Sequence, residues 1–224
     1  MVGFQDEVWF SRLAQPRLHS WTSDKALRLH QKDKPKAKNK TNQNKTNQNK
    51  TNQNKTNQNE EEALALACYG VLLDGNGTDG NGTGSGEMHL RFVNGRPISS
   101  VTTQYLDGLT QQLARPGQRV LLLVWDNARW HTSQEVRQWI KAHNREVKAK
   151  NALPEATEKG CRILVCALPV KSPWLNPIEA KWVHGKKNIV EPKRILSPLE
   201  VQQRLCSYYQ CPLLKSLDQF PMQQ

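Results

Sequence analysis

The sequence predicts a mixed α/β domain, a sheet with helices on both faces. Three strand patterns come first once two polar interruptions are set aside, and two short continuous apolar runs follow. Helix signatures separate and close those runs, giving the order strand, strand, strand, helix, strand, helix, strand, helix, with a last helix after it.

Met1 to Trp9 reads as a strand that starts with almost no lead-in. Ala63 to Leu73 and Met88 to Asn94 are β-rich stretches around a Gly-rich connection. Thr102 to Arg115 sets Tyr105, Leu106, Leu109 and Leu113 on one helical face and stops at Pro116-Gly117. Arg119 to Trp125 (RVLLLVW) is continuously apolar after its arginine, the pattern of a strand covered on both faces. Thr132 and Glu135 have capping-box spacing, and Val136, Trp139, Ile140 and Val147 share one face of the helix they open. Arg162 to Leu168 reads as another buried strand. Asn176, Pro177 and Glu179 have N-cap, N1 and N3 spacing for a helix to about Asn188, and Ser197, Pro198 and Glu200 repeat it for a helix ending before Pro212.

A length of 224 residues suits one domain, or one plus a tail. The expected organisation is a domain over 1–214 with a polar insertion at 32–62, a Gly-rich loop at 74–87 and a C-terminal tail at 215–224. No apolar run approaches the roughly 18–20 residues of a membrane span, and Met1 to Asp6 carry neither part of a secretory signal. Five cysteines, an odd number scattered through apolar stretches, argue against a disulfide framework and for a reducing cytoplasm. Cys161/Cys166 and Cys206/Cys211 are two C-x4-C pairs, but neither has knuckle glycines and Cys166 falls in a buried strand pattern, which disfavours zinc. No phosphate-cradling G-x-x-x-x-G-K-[ST] occurs, so an NTPase is unsupported.

The formal charge of +12 is unevenly placed. Lys32 to Asn59 holds eight lysines and one acid, leaving only +5 for the rest. That stretch contains KTNQN four times over. It has little to bury and is expected to be disordered, a tolerated loop insertion rather than a built nucleic-acid arm. Asp74 to Glu87 alternates Asp and Gly but fails the calcium-loop spacing, with Asp79 where glycine is needed and Ser85 where glutamate is. A long hairpin connection is the better reading.

Three acids stand where an open α/β site would need them. Asp6 lies in the first strand, Asp126 directly follows an apolar run at a carboxyl edge, and Glu179 lies in the first turn of a helix. Three converging carboxylates repel one another unless divalent cations neutralise them, and hard oxygen ligands without clustered His or Cys select Mg²⁺ or Mn²⁺. Two such ions, about 3.5–4 Å apart, are the usual device for in-line attack on a phosphodiester. Each acid also has a plain reading: Glu179 as a capping residue, Asp126 as a strand-end turn, Asp6 as an edge charge. Asp6 and Glu7 are indistinguishable by pattern.

The wording around them is more specific. VWDNARWHTS after an apolar strand, followed by LPVKSPWLNPIEAKW, strongly resembles the bacterial insertion-sequence transposases of the mariner superfamily, insertion sequence 630 branch. These are DDE superendonucleases with an RNase H-like (retroviral integrase-like) fold. GFQDEVWF resembles that family's first catalytic strand. The resemblance implies Asp6, Asp126 and Glu179 as the catalytic and metal-binding acids, two Mg²⁺ (or Mn²⁺) ions, and DNA cleavage with strand transfer. It further implies transposon ends and target DNA as partners, TA target sites, and a homodimer in the bacterial cytoplasm at the nucleoid. Lys186, two turns after Glu179, with Lys181, Lys187 and Arg194, has two readings, contact with DNA phosphates or a solvated basic surface, and His131 is expected to pack or to position DNA. Trp139 and Trp182 have core spacing.

Two features depart from the family's pattern. Asp126 and Glu179 are 53 positions apart, longer than usual, with the excess assigned to 148–160. Family members carry N-terminal helix-turn-helix modules, whereas this sequence opens at the catalytic strand; the expectation is an upstream-encoded partner fragment or a truncated remnant. The rival readings are a non-catalytic remnant that binds DNA or intact transposase, and a sequence-tolerant nuclease on the same fold.

Overall fold

The computed structural model describes residues 1–13, 65–74, 86–114, 120–153, 160–189 and 194–219. The expected insertion at 32–62 and most of the loop at 74–87 lie outside the described residues.

The sheet has six strands: β1 (Val2–Ser11), β2 (Ala65–Leu73), β3 (Glu87–Asn94), β4 (Val120–Trp125), β5 (Arg162–Ala167) and β6 (Leu217–Asp218), in the order β5-β4-β1-β2-β3-β6. β1, β2 and β3 form an antiparallel meander, with Asp6 opposite Gly70 and Glu7 opposite Tyr69. β4 joins the other side of β1 in parallel and β5 joins β4 in parallel. The described residues also form four α-helices: α1 (Ser99–Gln112), α2 (Gln134–Ala152), α3 (Ile178–Asn188) and α4 (Pro198–Tyr209). The β1–β4 and β4–β5 parallel joins need crossovers, which run through α1 and α2; β6 pairs β3 in parallel at the far edge.

Strand alternation divides the interior into two cores. On one face Tyr69, Val71, Leu121 and Leu123 meet Tyr105, Leu106 and Leu109 of α1 and Val136 of α2. On the other, Val8, Phe10, Leu90 and Phe92 meet Ile178 and Trp182 of α3 and Val201 and Leu205 of α4. Asp6 shares the second face with Val8 and Phe10; Gln5 and Glu7 point to the first.

Three expectations are corrected. β4 and β5 are not covered on both faces: α3 and α4 pack under β1–β3, leaving Leu122, Leu164 and Cys166 exposed on that face, and Val165, on the α1/α2 face, is exposed at the sheet edge. A continuous apolar run fits one-sided burial as well as two-sided. The segment 215–224 is not all tail, since Leu217 is buried and pairs with Val93 beside β3. α2 is capped by Ser133, whose Oγ accepts from Val136 N at 3.2 Å, while Thr132 donates back to Ala128 O. For α4 the expected capping box is present: Ser197 and Glu200 satisfy each other's backbone N–H groups. No helix among the described residues is long and apolar enough to cross a membrane.

Candidate active site

Asp6, Asp126 and Glu179 line one cavity of about 300 Å³, together with the 168–173 connection, Asn127, Ala128 and Asn176. Asp6 comes from mid-β1, Asp126 from the residue after β4, Glu179 from the first turn of α3. Among the described residues no three His, Cys, Asp or Glu side chains are close enough to make a ready-formed metal centre.

Each aspartate is tied by one oxygen. The Trp182 indole N–H donates to Asp6 Oδ2 at 2.8 Å. Trp182 reaches it because Gly70, opposite Asp6, has no side chain: a Cβ there would lie 2.2 Å from the indole Cη2. Burial, then the charge of Glu179, push the Asp6 carboxyl up to about 7, against the hydrogen bond from Trp182.

Asp126 Oδ1 accepts from the Ala128 N–H at 2.9 Å, an Asx turn, and from His131 Nδ1 at 2.9 Å. A single turn from Ala128 brings the ring back, with His131 N donating to Ala128 O at 3.0 Å. The other ring nitrogen, Nε2, lies 2.7 Å from Glu7 Oε1. Burial alone would pull the imidazolium down, but the hydrogen bonds and charges of Asp126 and Glu7 outweigh it and lift it to about 9. The hydrogen bond from His131 holds the Asp126 carboxyl below its usual range.

Glu179 is set by Asn176. Rather than capping α3 through its side chain, as the spacing suggested, buried Asn176 donates Nδ2–H to Gln5 O at 3.0 Å, beyond Phe4 where the β1–β4 ladder stops. Its own carbonyl accepts from Glu179 N at 3.1 Å. The helix start is thus pinned to the strand that carries Asp6.

The basic and ring residues fare differently. His131 is fully buried between two carboxylates and stacked on Trp125, which fits the packing half of its expectation; its side chain cannot touch DNA, and that half is withdrawn. Arg194 is engaged with Glu200 by two hydrogen bonds, 2.7 and 3.1 Å. Lys186 and Lys187 are exposed in the last turn of α3, where positive charge also suits the helix dipole, and Lys181 is half-buried. None of these lysines lines the cavity; Lys171 does, in a left-handed turn with φ 59°. Trp182 is core, as its spacing implied, and also touches Asp6. Lys171, Asn176, Trp182 and Glu7 are contributions the sequence did not assign. Only the polar letters inside LPVKSPWLNPIE, Lys171 and Asn176, carried a signal.

A family model described as DDE superfamily endonuclease matches residues 87–200, just over half of the chain. That stretch contains Asp126 and Glu179 but not Asp6. Among solved structures, the chain is similar to a Mos1 transposase paired-end complex with left transposon end, at 17% identity and a TM-score of 0.55, over 94% of this chain and 48% of that one. A pre-cleavage Mos1 transpososome gives 16% and 0.53 over 94% and 48%. The Mos1 mariner paired-end complex with Mn gives 16% and 0.51 over the same shares. At such identities the likeness is one of fold, the RNase H-like mixed sheet flanked by helices, and the chain spans about half the length of these structures. A search of curated proteins finds no match. The family match over 87–200 identifies the chain as a member of the DDE superfamily endonucleases.

Proposed function

We propose that this is the catalytic domain of a DDE transposase, cutting DNA strands and joining them to target DNA with divalent cations held by Asp6, Asp126 and Glu179. The observation that carries the reading is the shared cavity of these three acids, brought from β1, the end of β4 and the start of α3. The domain is taken as 1–214 plus the β6 segment, in the insertion sequence 630 branch, acting as a homodimer on transposon ends and TA target sites in a bacterial cytoplasm. The similar Mos1 structures are complexes with a transposon end, with Mn and of strand transfer; for this chain DNA and metal are part of the proposal.

The residues present fit a hard cation. Each aspartate has one oxygen bound to a nitrogen donor, which leaves Asp6 Oδ1 and Asp126 Oδ2 for a metal. Asn176 Oδ1, on the same cavity, is buried without a hydrogen-bond partner. An oxygen-only donor set selects Mg²⁺ or Mn²⁺ over zinc. The chemistry such ions supply when bound is activation of the attacking oxygen and neutralisation of charge at the phosphate. The chain's own part is orientation: Trp182 and His131 fix the aspartates, Asn176 fixes Glu179, and Lys171 lends positive charge for a phosphate.

The test is a labelled duplex carrying the element's ends, incubated with the chain in Mg²⁺ or Mn²⁺, alone and with any upstream-encoded fragment. Nicking that stops on chelation and returns with Mn²⁺ is expected. Cleavage that survives chelation would overturn the metal-dependent reading, and none in any combination would favour a non-catalytic remnant.

A further inference from the structure

Glu7 is a charge in an unfavourable place. Its side chain is only 7% exposed, on the α1/α2 face of the sheet, opposite Tyr69. Its charge helps to push the Tyr69 and Tyr105 hydroxyls up, behind burial as the main cause. Buried charge pairs are often no better for stability than apolar residues of similar volume. What Glu7 touches explains its presence. Glu7 Oε1 takes the Gln5 amide at 2.9 Å and faces His131 Nε2 at 2.7 Å. With a carboxylate oxygen at each ring nitrogen, both nitrogens of His131 must donate. The ring is also stacked on Trp125, centroids 4.4 Å apart and planes 2° from parallel, so it cannot turn away.

The far end of this chain of contacts is Asp126, whose side chain is 54% exposed and is held, among the described residues, by the Ala128 N–H and His131. We propose that Glu7 is a positioning residue: acting through His131, it fixes the Asp126 carboxylate so that Oδ2 alone is presented to the cation. The inference rests on the metal-site reading above. It also separates the two neighbouring acids of β1 by the sheet face each occupies. Asp6 faces the cavity; Glu7, one residue on, holds the other aspartate from behind.

The discriminating variant is Glu7→Leu/His131→Phe, which keeps volume and the stack on Trp125 but removes both links to Asp126. Mn²⁺ binding by calorimetry and by electron paramagnetic resonance on the full chain is the readout, with thermal melting alongside. A merely structural pair would be rescued by this apolar replacement. A positioning pair would not: Mn²⁺ affinity is expected to be about 10–100-fold weaker, the usual cost of losing such an outer partner, in a chain that still melts cooperatively, somewhat below the wild type because the buried Gln5 amide loses its acceptor. Glu7→Ala, as a second variant, should show a similar loss. Mn²⁺ binding equal to wild type in either folded variant would overturn the inference. Asp126→Ala is the control: if it too binds Mn²⁺ like the wild type, the site reading itself fails.

Discussion

Asp126→Ala is expected to lower metal-dependent DNA cleavage by about 10³-fold or more while leaving the chain folded, because catalysis by positioned charge depends on each ligand. Asp126 is largely exposed and buries little, so truncation opens no core cavity. Asp6→Asn should be equally inactive but with an added signature. Asp6 titrates near 7 rather than 3.8. Between about pH 4 and pH 7 the native state keeps a proton that the unfolded chain has lost, so stability falls as pH rises through that window. Above it, a cation-free chain carries a buried carboxylate that costs about 1–4 kcal/mol. Asp6→Asn should therefore melt several degrees higher than wild type at pH 8 in chelator, with the gap closing near pH 4. Melting curves at the two pH values, beside a nicking assay, check both halves. An Asp6→Asn chain less stable at pH 8 would contradict the assignment of strain to that carboxylate.

Gly70→Ala carries the largest expected loss of stability. The added methyl would sit 2.2 and 2.6 Å from Trp182 Cη2 and Cζ2. The indole has nowhere to go: it is edge-on to Phe10 and Tyr209, at 5.9 and 6.0 Å, and bonded to Asp6. Overpacking costs about 1–3 kcal/mol and occasionally more, and here the upper end is expected, about 10 °C in melting temperature. Any adjustment that relieves it pulls the N–H from Asp6, so activity should fall further than stability. Gly108→Ala in α1 is the comparison. Its nearest neighbour would be Arg91 at 3.8 Å, and helix propensity predicts a gain of about 0.5–1 kcal/mol. Denaturant titration of the two variants reads the contrast.

Much of the architecture is visible in the sequence because it is written locally. The capping box of α4, the face of α1 with Tyr105, Leu106 and Leu109, and the apolar run of β4 each need only neighbours in the chain. What was not legible depends on distant partners. Trp182 meets Asp6 across 176 positions, Asn176 meets Gln5 across 171, and His131 meets Glu7 across 124. None leaves a periodic trace. Asp6 and Glu7 are equivalent to a pattern and become different only when the register sets Gly70 and Tyr69 opposite them. The exposure of β5 was hidden for the same reason: Leu164 and Val165 look like core until the sheet order makes their strand an edge.

Crystals of the chain soaked in Mn²⁺, with anomalous scattering recorded at the manganese edge, give the most direct reading of the site. A peak is expected in the cavity within coordination distance of Asp6 Oδ1 and Asp126 Oδ2, with Glu179 turned toward it. Manganese bound elsewhere, or none at saturating concentration, would contradict that placement.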